Sequence, residues 1–450
     1  MKIEYNKSQL ILPQVTCSCA HHQAIDCDIH IGSHIINEMN QLIMKKIKGT
    51  RCMLITDKNL FMLFGEKIVD ILKKDFNVSI CVPNEQDPLR PDQYAIGEVM
   101  MSLSNDIEFL IAFGSGTIND ITRYVAHHCC LPFASIGTAP SMDGYLSVVA
   151  PMLKDDLKIN KPAKYPSVCI FDTEILKTAP SDMVFAGFGD VIGKYIAKAD
   201  WILSHHINDE SVCPFCLELD DMAITLCEEN IDNIKEKNSA GIKAVLEALL
   251  LTGLAMLLNG DSRPAASNEH NMGHFIEMKK LQAKLPHPSH GEAVGISTLY
   301  CLDLYQKILS YDFSHFNADD ILSKRDTKQI REQKILRAYG EEVGNAVLQG
   351  NIEELITAQE HLKRLETFFR KRALINKDLA FLPQKEDIIH LFSFLDGPVK
   401  ASDIMVGDDL LKQALLYAKD YRSRYNVFKL ADELGILEEL IDDMVLHELK

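Results

Sequence analysis

Asp190, His270, His274 and His290 are the residues of this chain whose types and spacing could do chemistry. His270 and His274 stand four apart in Ser262-Arg-Pro-Ala-Ala-Ser-Asn-Glu-His-Asn-Met-Gly-His274, a spacing that stacks two side chains on one helical face. His290 follows in Ser289-His-Gly-Glu292, read as a His-Gly turn, and Asp190 closes the glycine-rich run Ala186-Gly-Phe-Gly-Asp190. A carboxylate and two imidazoles, with one position left for substrate, is a common way to hold a catalytic divalent metal. Each member alone has a plainer reading: Asp190 as the N-cap of a following helix, the paired histidines as exposed or hydrogen-bonded, His290-Gly as an ordinary turn. Their occurrence together and in order is what points to an enzyme.

Such side chains need a frame. From Arg51 to about Asp172 short apolar runs alternate with helical stretches. Strands are expected at Cys52-Met-Leu-Ile-Thr, Val78-Ser-Ile-Cys-Val, Phe109-Leu-Ile-Ala-Phe and Pro132-Phe-Ala-Ser-Ile-Gly, with helices at 60–74, 96–103 and 118–127 between them. This rhythm predicts a parallel sheet with crossover helices. Beyond Asp172 long helical patterns take over, at 190–204, 218–234, 240–258, 270–283 and 292–310. Val245 to Leu258 is apolar almost all round, as a helix in the middle of a bundle would be. The expected fold is therefore α/β: a Rossmann-like parallel-sheet domain over 1–178, then an all-helical domain over 179–450.

Two loops sit where open parallel sheets bind ligands, at the carboxyl ends of neighbouring strands. Gly114-Ser-Gly-Thr117 joins a strand to a helix, so backbone amides and the helix dipole can hold a pyrophosphate. It is not the G-x-G-x-x-G pattern, and a glycine turn that only eases packing would look the same. Thr138-Ala-Pro-Ser-Met-Asp-Gly-Tyr-Leu-Ser147 follows the next strand, rich in hydroxyls and carrying Asp143. Side-chain-to-backbone hydrogen bonds in a plain turn are the alternative there.

Composition bounds the rest. At 450 residues two domains are expected, and 47% hydrophobic with 25% charged residues is ordinary for a globular protein. A net charge of −17 disfavours binding to nucleic acid or an anionic membrane, though a local positive pocket for a phosphorylated metabolite remains compatible with it. The amino terminus lacks an apolar signal core, no run of transmembrane length is evident, and twelve cysteines read as reduced thiols, so a cytoplasmic protein without membrane insertion is expected. Cys17-Ser-Cys-Ala-His-His22, with Cys27 and His30 behind it, looks like a small metal knuckle but lacks a second well-spaced pair, so no zinc is assigned to it. Cys213-Pro-Phe-Cys216 has redox-motif spacing without the βαβ context that would give it that role.

Read together, these motifs resemble the sn-glycerol-1-phosphate dehydrogenases, in particular their bacterial AraM-like branch, within the superfamily of iron-containing alcohol dehydrogenases, glycerol dehydrogenase and 3-dehydroquinate synthase. Gly114-Ser-Gly-Thr-Ile-Asn-Asp120, Thr138-Ala-Pro-Ser-Met-Asp-Gly144, Ala186-Gly-Phe-Gly-Asp-Val-Ile-Gly-Lys194, Ala199-Asp-Trp201, Ser262-Arg-Pro-Ala265, Glu269-His270, Gly273-His274, His290-Gly291, Tyr417 to Tyr425 and Leu434-Gly-Ile-Leu437 carry the likeness over nearly the whole chain.

The resemblance implies a dehydroquinate synthase-like fold and reversible reduction of dihydroxyacetone phosphate to glycerol 1-phosphate by NAD(H) or NADP(H). It makes Asp190, His270 and His290 ligands of one zinc, nickel or iron ion, with Asp190 also touching substrate. His274 and Asp143 would contact substrate. Gly114, Ser115, Gly116, Thr117, Ile118, Thr138, Ala139, Pro140, Ser141 and Ser147 would line the cofactor. A homo-oligomer, dimer or larger, is expected.

Ser115 and Met142 depart from the family pattern, and Ser115 fits only with a negative φ and its side chain turned from the phosphates. Three alternatives stay open: a dehydroquinate-synthase-like lyase, which would pattern a glutamate where Asp190 stands; a dehydrogenase of another polyol or its phosphate; and a non-catalytic descendant.

Overall fold

The computed structural model describes residues 4–12, 17, 19, 22, 25–83, 89–154, 157–323, 325–351 and 356–448; His21 of the cysteine–histidine segment lies outside them. Among the described residues ten strands are formed: β1 (Glu4–Asn6), β2 (Gln9–Ile11), β3 (Asp28–Gly32), β4 (Arg51–Thr56), β5 (Asn77–Cys81), β6 (Phe109–Gly114), β7 (Phe133–Gly137), β8 (Val149–Lys154), β9 (Leu157–Pro162) and β10 (Val168–Asp172). Eight make one sheet in the order β1-β2-β3-β10-β7-β6-β4-β5. From β3 to β5 every pairing is parallel, and β1 and β2 add an antiparallel edge.

The central strands are apolar throughout because helices cover both faces of a parallel sheet. Alternate side chains of β6 point to opposite sides: Phe109, Ile111 and Phe113 join one core with Leu54, Ile68 and Leu72. Leu110 and Ala112 join the other with Ile121, Val125 and Phe133. The four strands expected from apolar runs are present as β4 to β7. The expectation did not name β1 to β3, β10 or the β8–β9 hairpin, which pairs antiparallel as a separate two-stranded sheet. Strands of three residues, and a hairpin carrying lysines and two prolines, give too weak an alternation to read.

Two compact units emerge from the contacts: Met1–Val191 with Asp221–Asp261, and Ile192–Asp220 with Ser262–Lys450. The first holds the sheet. It also holds the apolar helix Ser239–Asn259, which composition had placed in a helical bundle. That helix is long and apolar enough to cross a membrane, and 89% of its apolar window is buried inside the protein. The second unit has no strand among the described residues.

Three expectations are corrected here. The single helix expected over 190–204 is two, Ser181–Ile192 and Lys194–Asn208, meeting at Gly193. Asp190 is thus in the last turn of the first helix rather than the cap of the second, which Lys194 opens. Second, Cys27 is buried beside β3 and His30 lies within β3, so neither belongs to a knuckle with Cys17. Third, the cysteines are not all reduced: Cys17 and Cys19 form a disulfide, while the other ten are in no disulfide.

Candidate functional site

In the first unit the glycine loop lies at the carboxyl end of β6, beside the point where the sheet order reverses between β4 and β6. Ser115 is the N-cap of helix Gly116–His128 with φ −97° and no side-chain capping bond, so the condition on its backbone is met. The amides of that helix's first turn therefore carry no side-chain cap from Ser115, as an anion-binding turn requires. The Thr138 loop is its neighbour: Gly114 pairs with Gly137, and the Thr138 N–H donates to the Gly114 carbonyl at 3.3 Å.

Buried polar groups stiffen these loops. The Tyr145 hydroxyl donates to the Ala139 carbonyl at 2.8 Å, and its ring meets Phe171 edge-on. The Arg123 guanidinium, buried in the same helix, donates to the Ser147 carbonyl at 3.2 Å and pairs with Asp120 at 3.3 Å. Burial pushes the Asp120 carboxyl up to about 6 against the pull of Arg123. Met142 has a local use, since its sulfur accepts the Gly144 N–H at 2.9 Å.

Asp143 and Asp190, distant in sequence, come together in this unit: the Asp143 N–H donates to Asp190 Oδ2 at 3.1 Å, and Asp190 is fully buried. Two glycines permit the approach. A methyl at Gly187, three residues before Asp190, would overlap the Pro140 carbonyl oxygen. One at Gly253 would stand 2.7 Å from the Asp143 carbonyl oxygen. The Thr138–Ser147 loop is thus seated backbone-first on helices Ser181–Ile192 and Ser239–Asn259.

In the second unit three imidazoles converge. His270 and His274 share helix Asn268–Gln282, and His290 is the first residue of helix His290–Ser310 rather than part of a free turn. Ser289 caps that helix in a capping box with Glu292, which fixes where His290 leaves the backbone. Ring centroids are 5.1 Å apart for His270–His290, 5.3 Å for His274–His290 and 6.3 Å for His270–His274. Tyr421 lies against His274 at 5.6 Å.

Sequence reasoning missed what holds these rings. Glu269 is fully buried, and its Oε1 accepts from His270 Nδ1 at 2.7 Å and from the Ser267 N–H at 2.8 Å. The carboxylate assigns the proton to Nδ1, so Nε2 presents the lone pair. Adjacency of Glu269 and His270 was the only signal for it.

Asp200 anchors the same helix start. It accepts from Ser267 Oγ at 2.6 Å, the Tyr305 hydroxyl at 2.6 Å and the Val427 N–H at 2.8 Å. Burial pushes its carboxyl up to about 6; the bonds from Ser267 and Tyr305 oppose that, and nearby Glu269 adds to it. Asp200→Ala would strand three buried donors, each costing about 1–3 kcal/mol. A loss of roughly 3–5 kcal/mol in urea unfolding is expected, and a change within ~1 kcal/mol would contradict this account of the network.

Residues 30–180 match the family model described as iron-containing alcohol dehydrogenase. The glycerol-1-phosphate dehydrogenase [NAD(P)+] of Halalkalibacterium halodurans is 32% identical over 413 residues, spanning 91% of this chain and 93% of the relative. That of Bacillus velezensis is 33% identical, with 91% and 92% covered. Among solved structures, glycerol dehydrogenase from Schizosaccharomyces pombe aligns with a TM-score of 0.60 at 14% identity, covering 93% of this chain and 90% of that one. That last likeness concerns the fold alone. Sequence identity of this extent, on a Rossmann-like sheet followed by helices, shows that the chain belongs to the glycerol-1-phosphate dehydrogenase family, within the iron-type alcohol dehydrogenase fold.

Proposed function

We propose that this chain is an oxidoreductase that reduces dihydroxyacetone phosphate to sn-glycerol 1-phosphate, reversibly, with NADH or NADPH as hydride donor. The observation that carries the reading is the 32–33% identity, over 91% of the chain, to glycerol-1-phosphate dehydrogenases. The lyase alternative is not favoured by those relatives, and an aspartate at 190 also disfavours it.

Asp190, His270 and His290 are the residues we propose as ligands of one divalent metal. The donor set suits it: a fully buried carboxylate, and an imidazole whose Nδ1 is turned to Glu269 so that Nε2 offers the lone pair. Zinc, nickel and iron all accept such ligands. When bound, the metal supplies Lewis acidity that polarises the substrate's C2 carbonyl.

The chain's own residues do the positioning. Gly114 to Ile118, Thr138 to Ser141 and Ser147 hold the nicotinamide nucleotide, with backbone amides of the capless helix start on its phosphates. His274 and Asp143 fix the hydroxyl and phosphate ends of the substrate, so that hydride reaches one face and the sn-1 isomer results. A homo-oligomer in the cytoplasm belongs to the same reading.

Glu269→Gln tests the ligand assignment without touching a ligand. Metal affinity is expected to fall about 10- to 100-fold, read by competition with a chelator, while unfolding by heat changes little. Unchanged affinity would show that Glu269 does not orient His270. The activity itself is tested by NADH oxidation with dihydroxyacetone phosphate after separate loading with zinc, nickel or iron. A product that ordinary glycerol-3-phosphate dehydrogenase cannot oxidise is the expected result; no oxidation with any metal would overturn the proposal.

A further inference from the structure

We propose that Cys17, Cys19 and His22 form a second metal site, for a thiolate-seeking divalent ion such as zinc, sharing no residue with the hydride-transfer machinery. All three belong to the first unit. Their ligand atoms, two Sγ and one imidazole nitrogen, lie within 4.8 Å of one another. His22 Nε2 is 3.3 Å from Cys19 Sγ. Donors on a zinc tetrahedron with bonds of about 2.0–2.3 Å stand roughly 3.3–3.8 Å apart; His22 Nε2 and Cys19 Sγ already stand so, while the two sulfurs, bonded to each other here, must separate to that spacing.

The other nitrogen of His22 makes the case. His22 Nδ1 lies 2.9 Å from the Leu258 carbonyl oxygen, near the end of helix Ser239–Asn259. A carbonyl there places the proton on Nδ1 and leaves the Nε2 lone pair directed at the sulfurs, the outer-shell arrangement characteristic of a metal-binding histidine. The Cys19 N–H lies 3.3 Å from Cys17 Sγ.

The disulfide between Cys17 and Cys19 and the metal site are alternative states of the same two sulfurs. Opening the disulfide takes two electrons and two protons, supplied by a dithiol that leaves as its own disulfide, and binding of the ion then displaces one proton from each protein thiol. A disulfide makes no use of an oriented imidazole beside it; a thiolate-bound ion does. Two thiolates and an imidazole leave the fourth position to water or another donor. Bound there, the ion ties the segment before β3 to the Ser239–Asn259 helix.

The test uses the full-length protein, reduced with a phosphine and loaded with cobalt(II). Thiolate ligation gives an intense sulfur-to-cobalt charge-transfer band, which an Asp-His-His site cannot produce. The band is expected in the wild type and in His270→Ala, and is expected to vanish in Cys19→Ser. Zinc content should fall by one equivalent per chain in Cys19→Ser while NADH binding persists. His22→Ala, which keeps both thiols, should require on the order of ten-fold more cobalt to develop the band, and it serves if Cys19→Ser does not fold. No thiolate band in the reduced wild type, or a band that survives Cys19→Ser or titrates unchanged in His22→Ala, would overturn the proposal.

Discussion

His270→Ala is expected to abolish metal-dependent turnover, lowering kcat/KM for dihydroxyacetone phosphate by roughly 10³-fold or more. Lewis-acid polarisation of a carbonyl is worth several kcal/mol, and each 1.4 kcal/mol or so is about ten-fold in rate. On our assignment the loss has two parts. One of two imidazole ligands disappears, and buried Glu269 loses the His270 Nδ1 donor while the Ser267 N–H stays. Metal content by mass spectrometry should fall with activity. Quenching of NADH fluorescence should persist, because the loops after β6 and β7, which we propose hold the nucleotide, belong to the other unit. Activity within ten-fold of wild type would remove His270 from the ligand set.

Gly187→Ala is the second large effect expected, and it arises from packing alone. The added methyl would overlap the Pro140 carbonyl, a backbone group with little room to retreat, and reach 3.0 Å from the Val245 side chain at Cγ1. Overpacking of this kind costs about 1–3 kcal/mol and sometimes more. Relief can come only by moving the Thr138–Ser141 loop or the helix that carries Asp190, and a shift of about 1 Å at a reacting centre can cost 10²-fold. A lower Tm together with a raised KM for NADH is therefore expected. Gly97→Ala is the control: its methyl would meet nothing within 4 Å on helix Gln93–Ser102, so it should be neutral or stabilise by up to ~1 kcal/mol. Equal behaviour of the two variants would refute the seating of the loop on Gly187.

The central strands were legible because a parallel sheet buries both faces, and that demands the continuous apolar runs seen in β4, β6 and β7. The helix Asn268–Gln282 was legible through its histidine spacing, and Gly114-Ser-Gly through its place between strand and helix. The break at Gly193 was not. Gly187 and Gly189 made the run before Asp190 read as a junction, so the expected helix began at 190, helix Ser181–Ile192 was missed and Asp190 became a cap. The β8–β9 hairpin was missed too, its lysines and prolines masking the alternation.

Chain chemistry and local periodicity alone thus set the donor types, the apolar strands and the one-face pairing of His270 with His274, since each depends on residues a few positions apart. Tertiary packing decided the rest: Asp143 against Asp190, the Pro140 carbonyl against Gly187, Asp200 gathering Ser267, Tyr305 and Val427. These partners are separated by tens to hundreds of residues. No local pattern encodes such contacts, because close packing and the need to satisfy every buried polar group choose them only when the elements meet.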